Sequence, residues 1–507
     1  MQRLSSSSNQ SNINLVNNFR DALIKSISTA IAVVVIPLIA AFPVKANENR
    51  LCTSQLQKEV QKIALSPQLQ AARIGVFVQT NESRPKVLAN LDGDRYFIPS
   101  SNAKLFTTAT ALKILGADYR FATRLMSSNL PNSKGELTDG LWLVASGDPS
   151  FSSATGLKSL VTQLKNKGVK QIDGGIWTLT ARKGAEISGS WEWQDLQEYY
   201  AAIASPFTID ENALNWSIRP SQIGKPAIFE WENSALAKDW HVENQSITVG
   251  KGSNFDLQVT RPFGQKVLIV SNQVPENLEP ELGGVAVPNP EANFLALLRE
   301  ELISQGISIS TVSANSKKLP PTQDLAINLS PPLSELITTT NKSSNNLYAE
   351  LLLRALGDRF HEVMPDDSVS RGMLAINKYL QSANIPVTSV LLVDGSGLSR
   401  QNLATPRAIA QLLQTVADNR DFRKSLAIAG VDGTLTNRFK NTAAQGRIQA
   451  KTGTLTGEIA LSGYANSKNY GEVVFSIIIN NSNLSTSDLQ QNVDAIALLL
   501  TNLDRCQ

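Results

Sequence analysis

Hydrophobic and polar positions follow a strand pattern between residues 72 and 88 and a helical pattern after Ser101. The run from Ala72 to Val78 predicts a strand, and Lys86 to Leu88 predicts a second strand across a polar turn. Behind Ser101, apolar residues recur at helical spacing, at Leu105, Ala109, Leu112 and Leu115. We therefore expect a helix that begins at Ser101, and an amphipathic helix between residues 52 and 72.

The pattern changes between residues 125 and 325, where short β-like runs alternate with turn signals. All 7 tryptophans lie in this region, from Trp142 to Trp240, which favours a separate β-rich unit with a helix near 292–304. Helical patterns return from 333 to 420. Near the end of the chain we expect strands at 446–454, 458–464 and 472–479, followed by an apolar-faced helix at 489–503.

These regions predict an α/β protein in which one sheet-and-helix core is interrupted by an insert. We expect residues 47–125 together with 326–507 to form the core, and residues 126–325 to form a β-rich insert of one or two domains. This layout would bring Cys52 and Cys506, the two cysteines of the chain, to the same side of the core. They are either two unrelated thiols or, in an oxidising compartment, a disulfide that joins the chain ends.

The first 46 residues have the features of a targeting segment. A polar, weakly basic stretch ends at Lys25, an apolar run covers 27–42, and Val44-Lys45-Ala46 places small residues where a signal peptidase recognises them. The apolar run is shorter than the roughly 20 residues of a membrane span. We expect residues 1–46 to be a signal peptide and the protein to be exported to the periplasm or cell envelope, with membrane association only through an uncleaved leader.

Charge and histidine content disfavour several classes of function. The formal net charge is +3, but the excess lies in the leader and no basic run follows, so no nucleic-acid partner is expected. The 2 histidines, His241 and His361, are not near a serine elbow, which disfavours a Ser-His-Asp hydrolase. Because zinc and P-loop motifs are also absent from the sequence, we expect neither a metal nor another cofactor.

Lysine is the remaining candidate base for a serine nucleophile, and two S-x-x-K matches occur. The match at Ser83 contains Pro85 between two strand patterns, so a helix is not expected there. Ser101-Asn102-Ala103-Lys104 opens the expected helix, where residues i and i+3 share a face and backbone N–H groups favour developing negative charge. The alternative for this match is a capping serine beside a solvated lysine.

Two further motifs carry candidate binding groups. Lys451-Thr452-Gly453-Thr454 lies at the end of a strand pattern, where a cation could bind a carboxylate and glycine would let a substrate backbone approach. Its alternative is an exposed hairpin turn. Two overlapping S-x-N matches lie between Ser343 and Asn346, and their alternative is an ordinary helix cap.

The order S-x-x-K, S-x-N and K-T-G resembles the active-site set of penicillin-binding proteins and serine β-lactamases. The flanks resemble the D-Ala-D-Ala carboxypeptidase/endopeptidase family, the class C low-molecular-mass penicillin-binding proteins, at Phe97–Lys104, Gly147–Pro149, Ser344–Glu350, Asp394–Arg400 and Gly430–Leu435. The resemblance covers nearly all of residues 52–507, and the family typically carries a long insert between the first two motifs. It implies a serine β-lactamase/transpeptidase-like core. It also fixes the S-x-N register at Ser344 and Asn346, with Asn345 where the family often has Asp.

The resemblance also implies a role for each site residue. Ser101 would be the acylated nucleophile, Lys104 its base, and Ser344 the group that passes a proton to the leaving amine. Asn346 would hold the substrate amide. The backbone N–H groups of Ser101 and Thr454 would form the oxyanion hole. The terminal carboxylate would be bound by side chains beside Gly453, those of Lys451, Thr452 and Thr454.

The implied activity is that of a serine-type D-Ala-D-Ala carboxypeptidase that acts on peptidoglycan stem peptides and is inhibited by penicillin and other β-lactams. Whether the protein also has DD-endopeptidase activity is not decided by the resemblance. A β-lactamase or esterase would share Ser101 and Lys104, although the long insert is unlike a β-lactamase. A non-catalytic wall-binding protein would be expected to lack one of the three motifs, and all three are intact.

Overall fold

The computed structural model describes residues 50–180, 187–234, 236–310, 321–360 and 367–506. The expected signal peptide at 1–46 and His361 lie outside the described residues. Within these ranges, no helix is both long enough and apolar enough to cross a membrane. By its contacts the chain divides into a smaller unit, residues 214–285, and a larger unit formed by the other described residues.

Most helices of the larger unit lie where the sequence pattern predicts them, including the one expected near 292–304. The helix Lys158–Asn166 was not predicted, because it lies in the region where β-like runs were expected. The helix expected from Ser101 begins two residues later, because residues 100–102 form a 3-10 turn that leads into it. In chain order the helices are α1 (Thr53–Ala64), α2 (Ala103–Ile114), α3 (Lys158–Asn166), α4 (Pro290–Ser304), α5 (Leu333–Lys342), α6 (Asn346–Arg359), α7 (Ser368–Ser382), α8 (Pro406–Thr415), α9 (Arg420–Ser425) and α10 (Thr486–Thr501).

The strands are short in the middle of the chain and long in its last part. In chain order they are β1 (Leu51–Cys52), β2 (Arg73–Thr80), β3 (Val87–Leu91), β4 (Ala122–Ser127), β5 (Glu136–Leu137), β6 (Leu141–Val144), β7 (Gln171–Ile172), β8 (Ile176–Leu179), β9 (Ala213–Arg219), β10 (Ile228–Trp231), β11 (His241–Asn244), β12 (Ile247–Val249), β13 (Gln258–Thr260), β14 (Val267–Ser271), β15 (Gln273–Pro275), β16 (Glu281–Ala286), β17 (Ser308–Ile309), β18 (Gln323–Leu329), β19 (Val390–Leu391), β20 (Leu403–Ala404), β21 (Ala427–Ile428), β22 (Ile448–Leu455), β23 (Glu458–Ser467), β24 (Gly471–Asn480) and β25 (Leu503–Asp504).

A central antiparallel sheet has the strand order β21-β22-β23-β24-β2-β3. Successive side chains of a strand point to opposite faces, and here both faces are buried. Phe77 belongs to one apolar cluster, with residues of α2, α6 and α8, whereas Val76 and Val78 belong to a second cluster, with residues of α1 and α10. The sheet is therefore the middle layer between two sets of helices, which confirms the expected α/β class.

The first and last described strands, β1 and β25, pair with each other. Leu51 pairs with Leu503 and Cys52 with Asp504 in a two-stranded parallel ladder. A disulfide joins Cys52 to Cys506, with the two Cα atoms 5.4 Å apart. The structure thus places the two cysteines together, at one side of the core.

Strands β18, β4, β6 and β8 form a four-stranded sheet, and β17, β7 and β5 a three-stranded one. In the first sheet, Ser127 lies opposite Gln323 and Ala122 opposite Leu329. The expected limits of the insert, at 126 and 325, therefore lie on neighbouring strands.

The smaller unit contains the sheets β10-β9-β16, β11-β14-β13 and β12-β15. A Cβ atom at Gly283 would lie 2.2 Å from the Trp216 ring, so this strand position accepts only glycine. The unit lies wholly inside the region 126–325. Residues 126–213 and the described part of 286–325 belong by their contacts to the larger unit, and whether they form a domain of their own stays a prediction.

Candidate active site

Ser101 and Lys104 lie where the 3-10 turn of residues 100–102 runs into α2. Lys104 Nζ is 3.0 Å from Ser101 Oγ. Ser100, just before the serine, has a left-handed φ of 48°. The S-x-x-K spacing therefore brings the amine to the hydroxyl, and the lysine is fully buried rather than solvated.

Two carbonyl oxygens bind the same amine. Asn346 Oδ1 and Ser396 O each accept a hydrogen bond of 2.6 Å from Lys104 Nζ. Burial lowers the pKa of Lys104 to about 7, although the charges of Asp394 and Glu350 oppose this shift. A buried lysine with this pKa can be neutral near neutral pH, as a base must be.

Ser344 and Lys451 form a second serine–lysine contact. Ser344 lies between α5 and α6 in the left-handed region, with a φ of 57°. Its Oγ accepts a hydrogen bond of 2.8 Å from Lys451 Nζ, which also donates to Thr452 O at 2.8 Å. Burial and the nearby charge of Lys104 both lower the pKa of Lys451.

The K-T-G-T motif lies within β22 rather than in an exposed hairpin turn. The side chain of Thr452 donates to Thr434 Oγ1 at 2.8 Å. A Cβ atom at Gly453 would lie 2.9 Å from Pro99 O and 3.0 Å from Ser100 Cβ. The sequence suggested that glycine here lets a substrate backbone approach. In the structure, the protein's own turn before Ser101 also lies this close to Gly453.

Two buried carboxylates that the sequence did not single out hold the loop behind Lys104. Glu350 Oε1 accepts from the N–H groups of Gly395 and Ser396 at 2.8 and 2.9 Å. Asp394 Oδ1 accepts from Gly397 N at 2.7 Å, and burial raises the pKa of Asp394 to about 6. Both carboxylates belong to flanks that carry the family resemblance, but the contacts by which they hold this loop are to backbone N–H groups, which no side-chain motif reveals.

The inserted region also contributes to the site, although no role was assigned to it from the sequence. Trp191 Nε1 donates to Asp394 Oδ2 at 2.9 Å. Tyr200 O accepts a hydrogen bond of 2.8 Å from Asn346 Nδ2. This second contact fixes which end of the Asn346 amide faces Lys104.

The structure thus brings the predicted residues together in two hydrogen-bonded sets, Lys104 with Ser101 and Asn346, and Lys451 with Ser344. Thr454 lies on the same strand as Lys451. Such an arrangement can activate a serine, stabilise an anion and bind a carboxylate. Among the residues that the structure describes, no cluster of His, Cys, Asp and Glu could hold a metal ion.

Comparison with known proteins gives consistent matches. Residues 56–503 match the D-Ala-D-Ala carboxypeptidase 3 (S13) family. The chain is 31% identical to D-alanyl-D-alanine carboxypeptidase of Actinomadura sp. (strain R39), over 93% of this chain and 90% of that protein. It is 27% identical to D-alanyl-D-alanine carboxypeptidase DacB of Haemophilus influenzae, over 94% of this chain and 97% of that protein.

Solved structures agree with these matches. Penicillin-binding protein 4 (dacB) of Haemophilus influenzae superposes with a TM-score of 0.73 and 25% identity, over 87% of this chain and 98% of that one. The same protein in complex with a β-lactam superposes with a TM-score of 0.68. The transpeptidase-like core and the resemblance drawn from the motifs are confirmed, and the chain belongs to the D-Ala-D-Ala carboxypeptidase 3 (S13) family of serine peptidases.

Proposed function

We propose that this protein is a serine-type D-Ala-D-Ala carboxypeptidase that removes the terminal D-Ala of peptidoglycan stem peptides through an acyl-enzyme on Ser101. The family and the activities named for its relatives support this function over a β-lactamase, an esterase or a non-catalytic wall-binding protein. No cofactor enters the reaction.

The arrangement around Lys104 Nζ is the observation that carries the proposal. A neutral amine has two N–H groups and one lone pair. Asn346 Oδ1 and Ser396 O are acceptors at 2.6 Å and take the two N–H groups. The lone pair is then left for the hydroxyl at 3.0 Å, so Lys104 accepts the proton of Ser101 as the serine attacks.

The later steps use the other contacts of the site. Ser101 Oγ bonds to the carbonyl carbon of the penultimate D-Ala, and the backbone N–H groups of Ser101 and Thr454 stabilise the resulting oxyanion. The proton passes through Ser344 to the amine of the leaving D-Ala as its bond to carbon breaks. Lys451, Thr452 and Thr454 bind the terminal carboxylate, and water then hydrolyses the ester on Ser101.

Fluorescent penicillin tests the nucleophile directly, because a Haemophilus relative of this fold is known in complex with a β-lactam. We expect one labelled peptide, which contains Ser101, and no label in Ser101→Ala. Ser83→Ala, which alters the other S-x-x-K match, is the matched control and should label normally. A labelled Ser101→Ala variant would overturn the assignment.

The bond that is cut is tested with purified muropeptides. Release of free D-Ala from a pentapeptide is the expected result, and cleavage of cross-linked dimers would add endopeptidase activity. Rapid turnover of the penicillin, without a persistent adduct, would favour a β-lactamase instead.

We also propose that the protein is exported to the periplasm or cell envelope. The leader pattern of residues 1–46 and the disulfide between Cys52 and Cys506 support this location, since such bonds persist in oxidising compartments. N-terminal sequencing of the protein from the envelope fraction should begin at Asn47. Recovery from the cytosol with an intact leader would contradict the proposal.

A further inference from the structure

A strained turn of the inserted region lies next to the S-x-N motif. Asp210, Glu211 and Asn212 have successive left-handed φ angles of 48°, 54° and 51°. Residues other than glycine persist in this conformation only where surrounding contacts enforce it, and such strain concentrates at functional sites.

Hydrogen bonds hold this turn in place. Asp210 N donates to Phe151 O at 3.0 Å, and Asp210 Oδ1 accepts from Ser153 N at 2.9 Å. Asn212 Nδ2 donates to Ile203 O at 2.8 Å. The turn is thereby fixed on both sides of the residue at its centre, Glu211.

Glu211 reaches the residue between Ser344 and Asn346. Its Oε2 accepts a hydrogen bond of 2.8 Å from Asn345 Nδ2. The other end of the same amide, Asn345 Oδ1, accepts from Tyr348 N at 3.1 Å and caps α6. Asn345 therefore needs a donor and an acceptor on one short side chain.

This double contact explains the departure from the Asp that the family often has at this position. Aspartate at 345 could cap α6 but could not donate to Glu211, and two carboxylates would lie at hydrogen-bond distance. Asparagine at 345 and glutamate at 211 are thus chemically matched.

We propose that Glu211 is a positioning residue, which acts through Asn345 to hold the loop that carries Ser344 and Asn346 in its reactive geometry. Ser344 itself adopts a left-handed φ of 57°, and its neighbours must keep it there for the contact with Lys451. Tyr200 O, which binds Asn346, lies in the same inserted region. The inference rests on the proposed function of the loop in acylation.

Exchange of the matched pair tests this coupling. Glu211→Ala removes the acceptor, and Asn345→Asp removes the donor and adds repulsion. Each should lower the second-order rate of acylation by penicillin about tenfold or more. Glu211→Gln keeps an acceptor and should lose less than about threefold.

The double variant Glu211→Gln/Asn345→Asp is the decisive measurement. The glutamine can donate to the new aspartate, which still caps α6, so most of the rate lost in Asn345→Asp should return. A loss of packing alone would not be rescued in this way, because a second substitution would add to it. Thermal melting of each variant separates misfolding from misplacement of the loop.

Asn132 and Glu136 provide a matched control. Asn132 Nδ2 donates to Glu136 Oε2 at 2.8 Å, and Asn132 Oδ1 accepts from Lys134 N at 2.9 Å. Like the amide of Asn345, this amide beside β5 donates to a glutamate and accepts from a backbone N–H group. Asn132→Asp should leave the acylation rate unchanged. If Asn345→Asp also acylates at the wild-type rate, or if Glu211→Gln gives no rescue, the inference is overturned. Absence of Ser101 labelling in the wild type would instead overturn the proposed function.

Discussion

The pKa of Lys104 makes acylation strongly dependent on pH. Burial brings this pKa from 10.5 to about 7. At pH 7 about half of the molecules then carry the neutral amine, against about one in 3,000 for a lysine at 10.5. Because a protonated lysine cannot accept the proton of Ser101, the rate should rise about tenfold per pH unit below 7 and level off above it.

The assay is the second-order rate of penicillin acylation between pH 5 and 9, with circular dichroism to verify that the fold persists. Asn346→Asp would place a carboxylate where Asn346 Oδ1 now lies, 2.6 Å from Lys104 Nζ. This charge should raise the pKa of Lys104, so the pH range in which the acylation rate rises should shift to higher pH by about 1–3 units. Asn346→Ala should not shift this range to higher pH. The reasoning would be refuted by a wild-type acylation rate that does not change from pH 5 to 7, or by an Asn346→Asp variant whose rate rises over the same pH range as that of the wild type.

Three further outcomes follow from the geometry. Gly397→Ala should abolish acylation and lower the melting temperature, because a Cβ atom at position 397 would lie 1.9 Å from Ser100 O and the backbone there has a φ of 81°. Retained acylation would contradict this prediction. Thr434→Val removes the partner of Thr452 and should raise KM for a pentapeptide about 3- to 10-fold, with a smaller change in kcat; an unchanged KM would contradict it. Cys52→Ser opens a disulfide that spans 454 residues and should cost about 2–5 kcal/mol of stability with acylation intact, as thermal denaturation with and without reductant would measure.

The core of the fold was predictable because its strands and helices bury regular apolar patterns. Strands β2, β23 and β24 bury apolar residues on both faces, so their runs stand out in the sequence and the observed bounds lie within a few residues of the expected ones. The start of α2 was displaced by the 3-10 turn, which the spacing of apolar residues does not encode.

The site was predictable where side chains meet at a fixed local spacing, as Ser101 and Lys104 do on one turn. The parts that escaped prediction depend on backbone partners or distant segments. Glu350 binds N–H groups of a loop 45 residues away, and Asn346 binds the carbonyl of Tyr200, 146 residues away. Such contacts are set by tertiary packing, and a single sequence carries no local signal for them.

The pairing of β2 with β24 also determines the order in which the molecule can fold. Arg73 pairs with Asn480, so about 400 residues must be synthesised after β2 before its neighbour β24 in the central sheet exists. Among the residues that the structure describes, the strands of the smaller unit pair with one another, and the last of these strands ends at Ala286. Until β24 appears, the apolar strand β2 has an unpaired edge that is open to aggregation. Strand β22, which carries Lys451, is joined to β2 only through β23 and β24, so a chain cut short before β24 would contain the site residues but lack the sheet that holds Lys451 in place.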